Sequence, residues 1–142
     1  MDTLLHNGVN HLELRVIDVN PLTRAGIFPE DIRFIHLLLL WLCSLPEFDF
    51  DEEKQLQAIA DVKAAAVFGN AEIKNRAGET LEEIKRFTAR YFPHYLNIVE
   101  YQLRKLTDGN SYAEIVSRKY TDGYIKKGLA LAGRYLGGER GV

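Results

Sequence analysis

The chain has 142 residues, a formal net charge of -2 and a hydrophobic share of 46%. That length fits one domain, that hydrophobic share excludes a disordered chain, and the charge balance points away from nucleic acid and from a membrane surface as partners. The single cysteine, Cys43, excludes an internal disulfide framework and a cysteine-rich metal site, and its apolar surroundings predict a buried, inert thiol.

Met1 to Leu5 lack the basic region and long apolar stretch of a secretory signal. The run Phe34 to Cys43 is intensely apolar, but it is too short to span a bilayer and His36 interrupts it. The expected compartment is therefore the cytoplasm.

In chain order, Leu4 and Leu5 end a short helix at the Asn7-Gly8 turn. Leu12, Leu14 and Val16 then alternate with Glu13, Arg15 and Ile17, a period of two that predicts a strand. Asn20-Pro21 breaks it, because proline removes a ladder donor and restricts the residue before it. A loop runs through Gly26. Pro29 suits a first helical position, and Glu30 and Asp31 suit the positive end of a helix dipole. Ile32 to Leu45 reads as a helix apolar on nearly all sides, which must be covered by something. If the remaining helices do not suffice, self-association into a homo-oligomer is expected. Pro46 marks the end of this helix.

Asp49 with Glu52 has capping-box spacing and opens a helix over about Asp51 to Phe68, with Leu56, Ile59, Ala60, Lys63 and Val67 along one side. Gly69-Asn70 ends it, and residues 70 to 79 read as loop. Thr80 with Glu83 forms another capping box. A helical repeat follows from Leu81 through Leu106, with Pro93 kinking it or splitting it in two. Asp108-Gly109 ends that segment. Ser111 with Glu114 caps a short helix to about Tyr120, and Thr121-Asp122 starts a last helix that fades at Gly137-Gly138. The sum is one strand and five or six helices: a mostly α chain with an N-terminal β-strand. A lone strand needs partners for its backbone groups. Its sheet therefore lies in a strand not evident here or on another polypeptide.

Glu13 and Arg15, two apart on a strand, leave the same face. A carboxylate there can ligate magnesium and a guanidinium can clamp a phosphoryl oxygen. A solvated surface pair is the ordinary reading of such spacing. The surrounding residues add to it. Gly8-Val9-Asn10-His11-Leu12-Glu13-Leu14-Arg15-Val16-Ile17-Asp18-Val19-Asn20-Pro21 resembles a segment late in bacterial glutamate–cysteine ligases, in order and spacing. There a glutamate–apolar–arginine strand leads into an aspartate–apolar–asparagine/aspartate–proline turn, a glycine and a very hydrophobic helix. Here these are Gly26 and the helix opened by Arg33-Phe34 and ending Leu40-Trp41-Leu42-Cys43. The ligase half of bifunctional glutathione-synthesising enzymes is similar too.

This resemblance covers residues 8 to 45; residues 46 to 136 share only a general helical character, and 137 to 142 read as a tail. Residues 1 to 142 are then a single unit, the C-terminal part of a ligase catalytic domain with an α+β fold similar to that of glutamine synthetase. The resemblance implies ATP-dependent joining of glutamate and cysteine through γ-glutamyl phosphate, with magnesium bridging the phosphates. It implies that Glu13 ligates metal and that Arg15 contacts the transferred phosphoryl group of ATP. The family's other metal-binding glutamates lie in an N-terminal half with no counterpart here, so the isolated chain is expected to be inactive. That half is expected in cis or on a separate chain of a split ligase. The alternative is a helical interaction module with no catalytic role.

Other features have plain readings. His36 reads as a hydrogen-bonded core or boundary histidine, and His6, His11 and His94 lack partners at metal-ligand spacing. Tyr91, Phe92, Tyr95 and Tyr101 read as packing, because no basic groove accompanies them. Arg118, Lys119, Lys126, Lys127 and Arg134 read as a solvated face. Gly137-Gly138 follows a helix and is no phosphate loop. Asp49, Asp51, Glu52 and Glu53 sit at a helix start without calcium-loop spacing.

Overall fold

The computed structural model describes residues 13, 14, 17, 19–67, 69–121 and 123–137. Among them the chain is helical and contains no strand, which corrects the expected N-terminal β-strand. Glu13, Leu14, Ile17 and Val19 have no regular secondary structure, and all four are exposed. The other residues of that stretch lie outside the described residues, as do Leu4 and Leu5. The physical reason is the one that makes a lone strand unstable: every other described segment is helix or loop, so none offers a ladder.

Helix α1 spans Pro29–Ser44. Proline at the start costs nothing, since its missing N–H would have had no partner in the first turn. Phe28 is the N-cap and supplies no side-chain bond. Helix α2 spans Glu52–Ala65. Its cap is Asp51 rather than Asp49: Asp51 Oδ1 accepts from Lys54 N at 2.9 Å. Lys54 Nζ then ties Asp51 Oδ2 at 2.8 Å and the Asp49 carbonyl at 2.6 Å. The helix is shorter than Asp51 to Phe68, and Phe68 lies outside the described residues.

Helix α3 runs from Ala71 to Tyr91, so the loop expected over residues 70 to 79 is a helix. Asn70 begins α3 rather than ending α2, its side-chain oxygen accepting from Ile73 N at 3.2 Å. Thr80 caps nothing. It sits inside α3, its hydroxyl donating back to the Arg76 carbonyl at 3.1 Å. Pro93 splits the long helical segment as expected. It opens a single 3-10 turn, Pro93–Tyr95, before α4, Leu96–Thr107. Helix α5, Tyr112–Lys119, starts with the capping box read from Ser111 and Glu114. Helix α6, Tyr124–Leu136, is capped by Gly123 at φ 101° rather than by Thr121-Asp122, and Asp122 lies outside the described residues.

The core forms where α1 lies on a hairpin made by α3 and α4. Leu37 comes from α1, Leu81 and Ile84 from α3, and Ile98 and Val99 from α4. Phe34, Leu38, Trp41, Phe92, Leu103 and Leu106 pack around them. Burying a side chain such as Ile84 or Val99 is worth about 1.5–3 kcal/mol. Lys85 Nζ on α3 and Glu100 Oε1 on α4 stand 3.6 Å apart across the hairpin. Helix α2 buries no side chain and is tied to α3 by a two-pronged pair. Arg76 Nη1 and Nη2 donate to Asp61 Oδ1 and Oδ2 at 2.7 and 2.6 Å. The Arg76 bonds, with one from Gln57, hold the Asp61 carboxyl down at about 2.

The cover expected for α1 is incomplete among the described residues: Leu37 is buried, but Ile32 and Leu42 are 54% and 47% exposed. Cys43 is exposed too, so it is not the buried thiol its sequence surroundings predicted, and of the core and boundary readings of His36 its exposure excludes the core one. One helix packs against the others over an arc of its surface, and the apolar residues of α1 exceed that arc. No described helix is long and apolar enough to cross a membrane.

The α5 cap carries a pH dependence. Glu114 Oε2 accepts from Ser111 Oγ at 2.7 Å and Ser111 N at 2.9 Å, while Oε1 accepts from Lys74 Nζ at 2.9 Å. The Ser111 hydroxyl foremost, then Lys74, lowers the Glu114 carboxyl to about 2. Because the folded value is depressed, the stability it contributes is present above the unfolded value and lost as pH falls through the folded one. Wild type should therefore be more stable than Glu114→Gln at pH 7, with the difference shrinking between about pH 4.5 and about pH 2. Urea midpoints across that range measure it; a constant difference would show that Glu114 acts without its charge.

Candidate functional site

The residues singled out for chemistry lie at the N-terminal side of α1. Glu13 is exposed and outside any helix, and Arg15 lies outside the described residues. The turn downstream of them is built in detail. Asn20 N donates to the Gly26 carbonyl at 2.7 Å, closing the loop, and Gly26 N donates back to Thr23 O at 3.1 Å. Asn20 Oδ1 accepts from Leu22 N at 2.9 Å, an Asx turn that sets the chain direction before Pro21 has fully passed. Gly26 has φ 75°, and a Cβ there would stand 3.2 Å from Val19 Cγ1, so both backbone and space favour glycine. Tyr135 of α6 reaches over to donate to the Pro21 carbonyl at 3.4 Å.

Behind this turn lies a polar cluster that the sequence reading missed. Asp31 in the first turn of α1 accepts from Lys105 Nζ at 2.7 Å and Gln102 Nε2 at 3.1 Å, both on α4. Its other oxygen accepts from Tyr112 OH on α5 at 2.6 Å. Lys105 Nζ also donates to Tyr112 OH at 2.8 Å. It lies 3.9 Å and 4.5 Å from the ring centres of Tyr112 and Tyr101, so the ammonium is held by a carboxylate and two aromatic faces. The side chains of Lys105 and Asp31 are 13% and 16% exposed. Burial alone pushes the Asp31 carboxyl up, but the bonds from Lys105, Tyr112 and Gln102 together outweigh it and leave it below its usual range. Burial and the Asp31 carboxylate push the Tyr112 hydroxyl far up, so it stays protonated and donates. The cluster clamps α1, α4 and α5 together and parts two cavities of about 520 and 450 Å³, both lined by Asp31, Phe34 and Tyr112.

No signal at local spacing marks this cluster, because the bonds that bring Asp31 into it join residues 71 to 81 apart. Asp31 read only as a partner of the helix dipole. No group of three or more His, Cys, Asp or Glu among the described residues could hold a metal ion. Magnesium demands a nearly complete octahedral shell, so Glu13 does not by itself make a fit site. His36 lines a shallow pocket of about 110 Å³ with Arg33, Leu37, Leu40, Phe92 and Tyr95 and joins no metal-binding set. His94 lies against Tyr95 with ring centres 4.2 Å apart and planes tilted by 47°.

Comparison with known proteins addresses the segment around Glu13. Residues 1–65 match the glutamate–cysteine ligase family. The match takes in the stretch from Gly8 to Pro21, whose pattern led one to expect it. Among curated relatives it is similar to a glutathione biosynthesis bifunctional protein of Clostridium perfringens, 24% identical over 96% of this chain and 20% of that protein. It is 42% identical to a glutamate–cysteine ligase of Edwardsiella ictaluri over 36% of this chain and 10% of the relative. A glutamate–cysteine ligase of Proteus mirabilis is 40% identical over the same shares. The chain thus spans a fifth or less of the length of these relatives. No solved structure matches it.

Proposed function

We propose that this chain is part of an ATP-dependent ligase that forms γ-glutamylcysteine, the first amide of glutathione. The observation that carries the reading is the match of residues 1–65 to the glutamate–cysteine ligases, a stretch that contains the Glu13 to Pro21 pattern. In the complete enzyme the side-chain carboxylate of glutamate attacks the terminal phosphorus of ATP, releasing ADP and forming an acyl phosphate. The cysteine amine then attacks the acyl carbon, the C–N bond forms, and phosphate leaves with the C–O electron pair. Arg15 contacts the transferred phosphoryl oxygens as charge develops on them, the role a planar guanidinium serves well. Glu13 contributes one oxygen to a metal shell that the rest of the ligase completes. On this reading Glu13 alone leaves the magnesium shell incomplete, and the isolated chain is expected to be inactive. The remainder of the ligase, in cis or as a separate subunit, supplies the rest of the shell.

The test is a chimera in which this chain replaces the matching fifth of the bifunctional relative. ADP release that requires both glutamate and cysteine, present in the chimera and absent from the isolated chain, is the expected result. The isolated chain should also give no calorimetric heat with magnesium-ATP. A folded chimera without turnover would overturn the reading, as would tight nucleotide binding by the chain alone that Glu13→Ala and Arg15→Ala both abolish. The exposed apolar residues of α2 and α6, among them Leu56, Ile59, Ile125 and Leu129, favour a second reading as a non-catalytic helical module. A folded, inactive chimera would support it.

A further inference from the structure

The kink at Pro93 and helix α1 enclose a small pocket with a basic wall. Arg33 and His36 stand three apart on α1 and share a face, with Leu37 and Leu40 each four further on. Across from them are Phe92, which ends α3, and Tyr95, which closes the 3-10 turn. These six residues line the pocket of about 110 Å³. The turn's backbone holds the second wall in place. Phe92 N donates to the Thr88 carbonyl at 2.8 Å, and Tyr95 N donates to the Phe92 carbonyl at 2.9 Å. Arg33 and His36 are exposed, and Tyr95 is 40% exposed. Among the described residues none of these three side chains makes a hydrogen bond or an ion pair, and no carboxylate lines the pocket.

We infer that this pocket binds a carboxylate carried on a short apolar chain. The charge follows from Arg33, because a planar guanidinium matches the two oxygens of a carboxylate. His36 and Tyr95 add an imidazole N–H and a phenol O–H to the same lining. The apolar chain follows from Leu37, Leu40 and Phe92, which give nothing back to an anion that is polar on every side, such as phosphate. The size is set by the volume, which equals the share of about four waters at about 30 Å³ each and holds a carboxylate with about two methylene groups. Two sources offer this chemistry: a free short-chain acid and the side chain of a glutamate on another polypeptide. The site rests on α1 and the kink, and it does not depend on ligase turnover.

The test uses the full chain, isotope-labelled for NMR at the arginine Nε–H and histidine ring positions. It is titrated at constant ionic strength with butyrate, with uncharged butanamide of similar shape, with inorganic phosphate, and with a glutamate blocked at both backbone ends. Butyrate should shift Arg33 and His36, leave the exposed Arg86 in place, and bind at least about tenfold more tightly than butanamide or phosphate. Arg33→Met keeps the apolar stem and removes the fork, so it should weaken butyrate by at least about tenfold. Tighter binding of butyrate than of blocked glutamate would assign the pocket to a free acid, and the reverse order to a protein side chain. Equal binding of butyrate and butanamide would overturn the proposal, as would phosphate binding as tightly as butyrate. So would shifts at Arg86 as large as those at Arg33, which would mean screening of surface charge alone. The comparison of probes in wild type stands even if the variant fails to fold.

Discussion

Arg15→Ala, introduced into a full-length ligase carrying this segment, is expected to lower turnover by about 10²–10³-fold while changing stability by less than about 0.5 kcal/mol. The argument rests on where the charge goes. In phosphoryl transfer the equatorial oxygens gain charge in the transition state, and a fixed guanidinium stabilises that charge more than it stabilises bound ATP. The loss should therefore fall on kcat and on kcat/KM alike, with KM for ATP little changed. Arg15→Lys should restore only part of it, because an ammonium offers a point charge in place of a planar fork. Activity that survives while the melting temperature drops would show that the arginine is structural.

Asp31→Ala should destabilise the chain by about 3 kcal/mol, the largest stability loss expected of any single charge here. It strips Lys105 of its carboxylate at a position where that ammonium is 13% exposed, and it leaves Gln102 and Tyr112 without their acceptor. The cost is the desolvated, unmatched cation rather than the net worth of the pair. Replacing both charges, as in Asp31→Leu with Lys105→Met, should therefore recover most of the loss. Urea unfolding at pH 7, read as a shift in midpoint at constant slope, measures both variants. The carboxyl is held below its usual range, so its contribution fades as acid protonates it, and the single-variant deficit should shrink below about pH 4. A loss under about 1 kcal/mol would mean that water reaches Lys105 and the clamp is ornamental.

Punctuation was the most legible part of the fold. Pro29 starts α1, Pro93 divides α3 from α4, and Ser111 with Glu114 opens α5, because each acts within one turn of its own position. The misreadings have local causes too. Asparagine serves at either end of a helix, so Asn70 looked like a stop when it was a start. Thr80 and Glu83 have cap spacing by coincidence inside a helix already under way. The alternation from Leu12 to Ile17 matches a strand, but pairing is settled by neighbours that this stretch cannot encode alone. Of the candidate site, the order of Glu13, Arg15, Asn20-Pro21 and Gly26 was legible and pointed to the family. The Asp31–Lys105–Tyr112 clamp was not, since three helices must meet before its members come within reach.

The α3–α4 hairpin has a consequence for how the chain acquires its structure. Its arms are separated by four residues and carry four of the five buried apolar side chains among the described residues, Leu81, Ile84, Ile98 and Val99. Closing so short a loop costs little chain entropy, and helical hairpins with near-neighbour contacts assemble quickly. The hairpin is thus the natural nucleus. On that ground helix α1 is expected to dock later, bringing Leu37 onto the hairpin and Asp31 to Lys105.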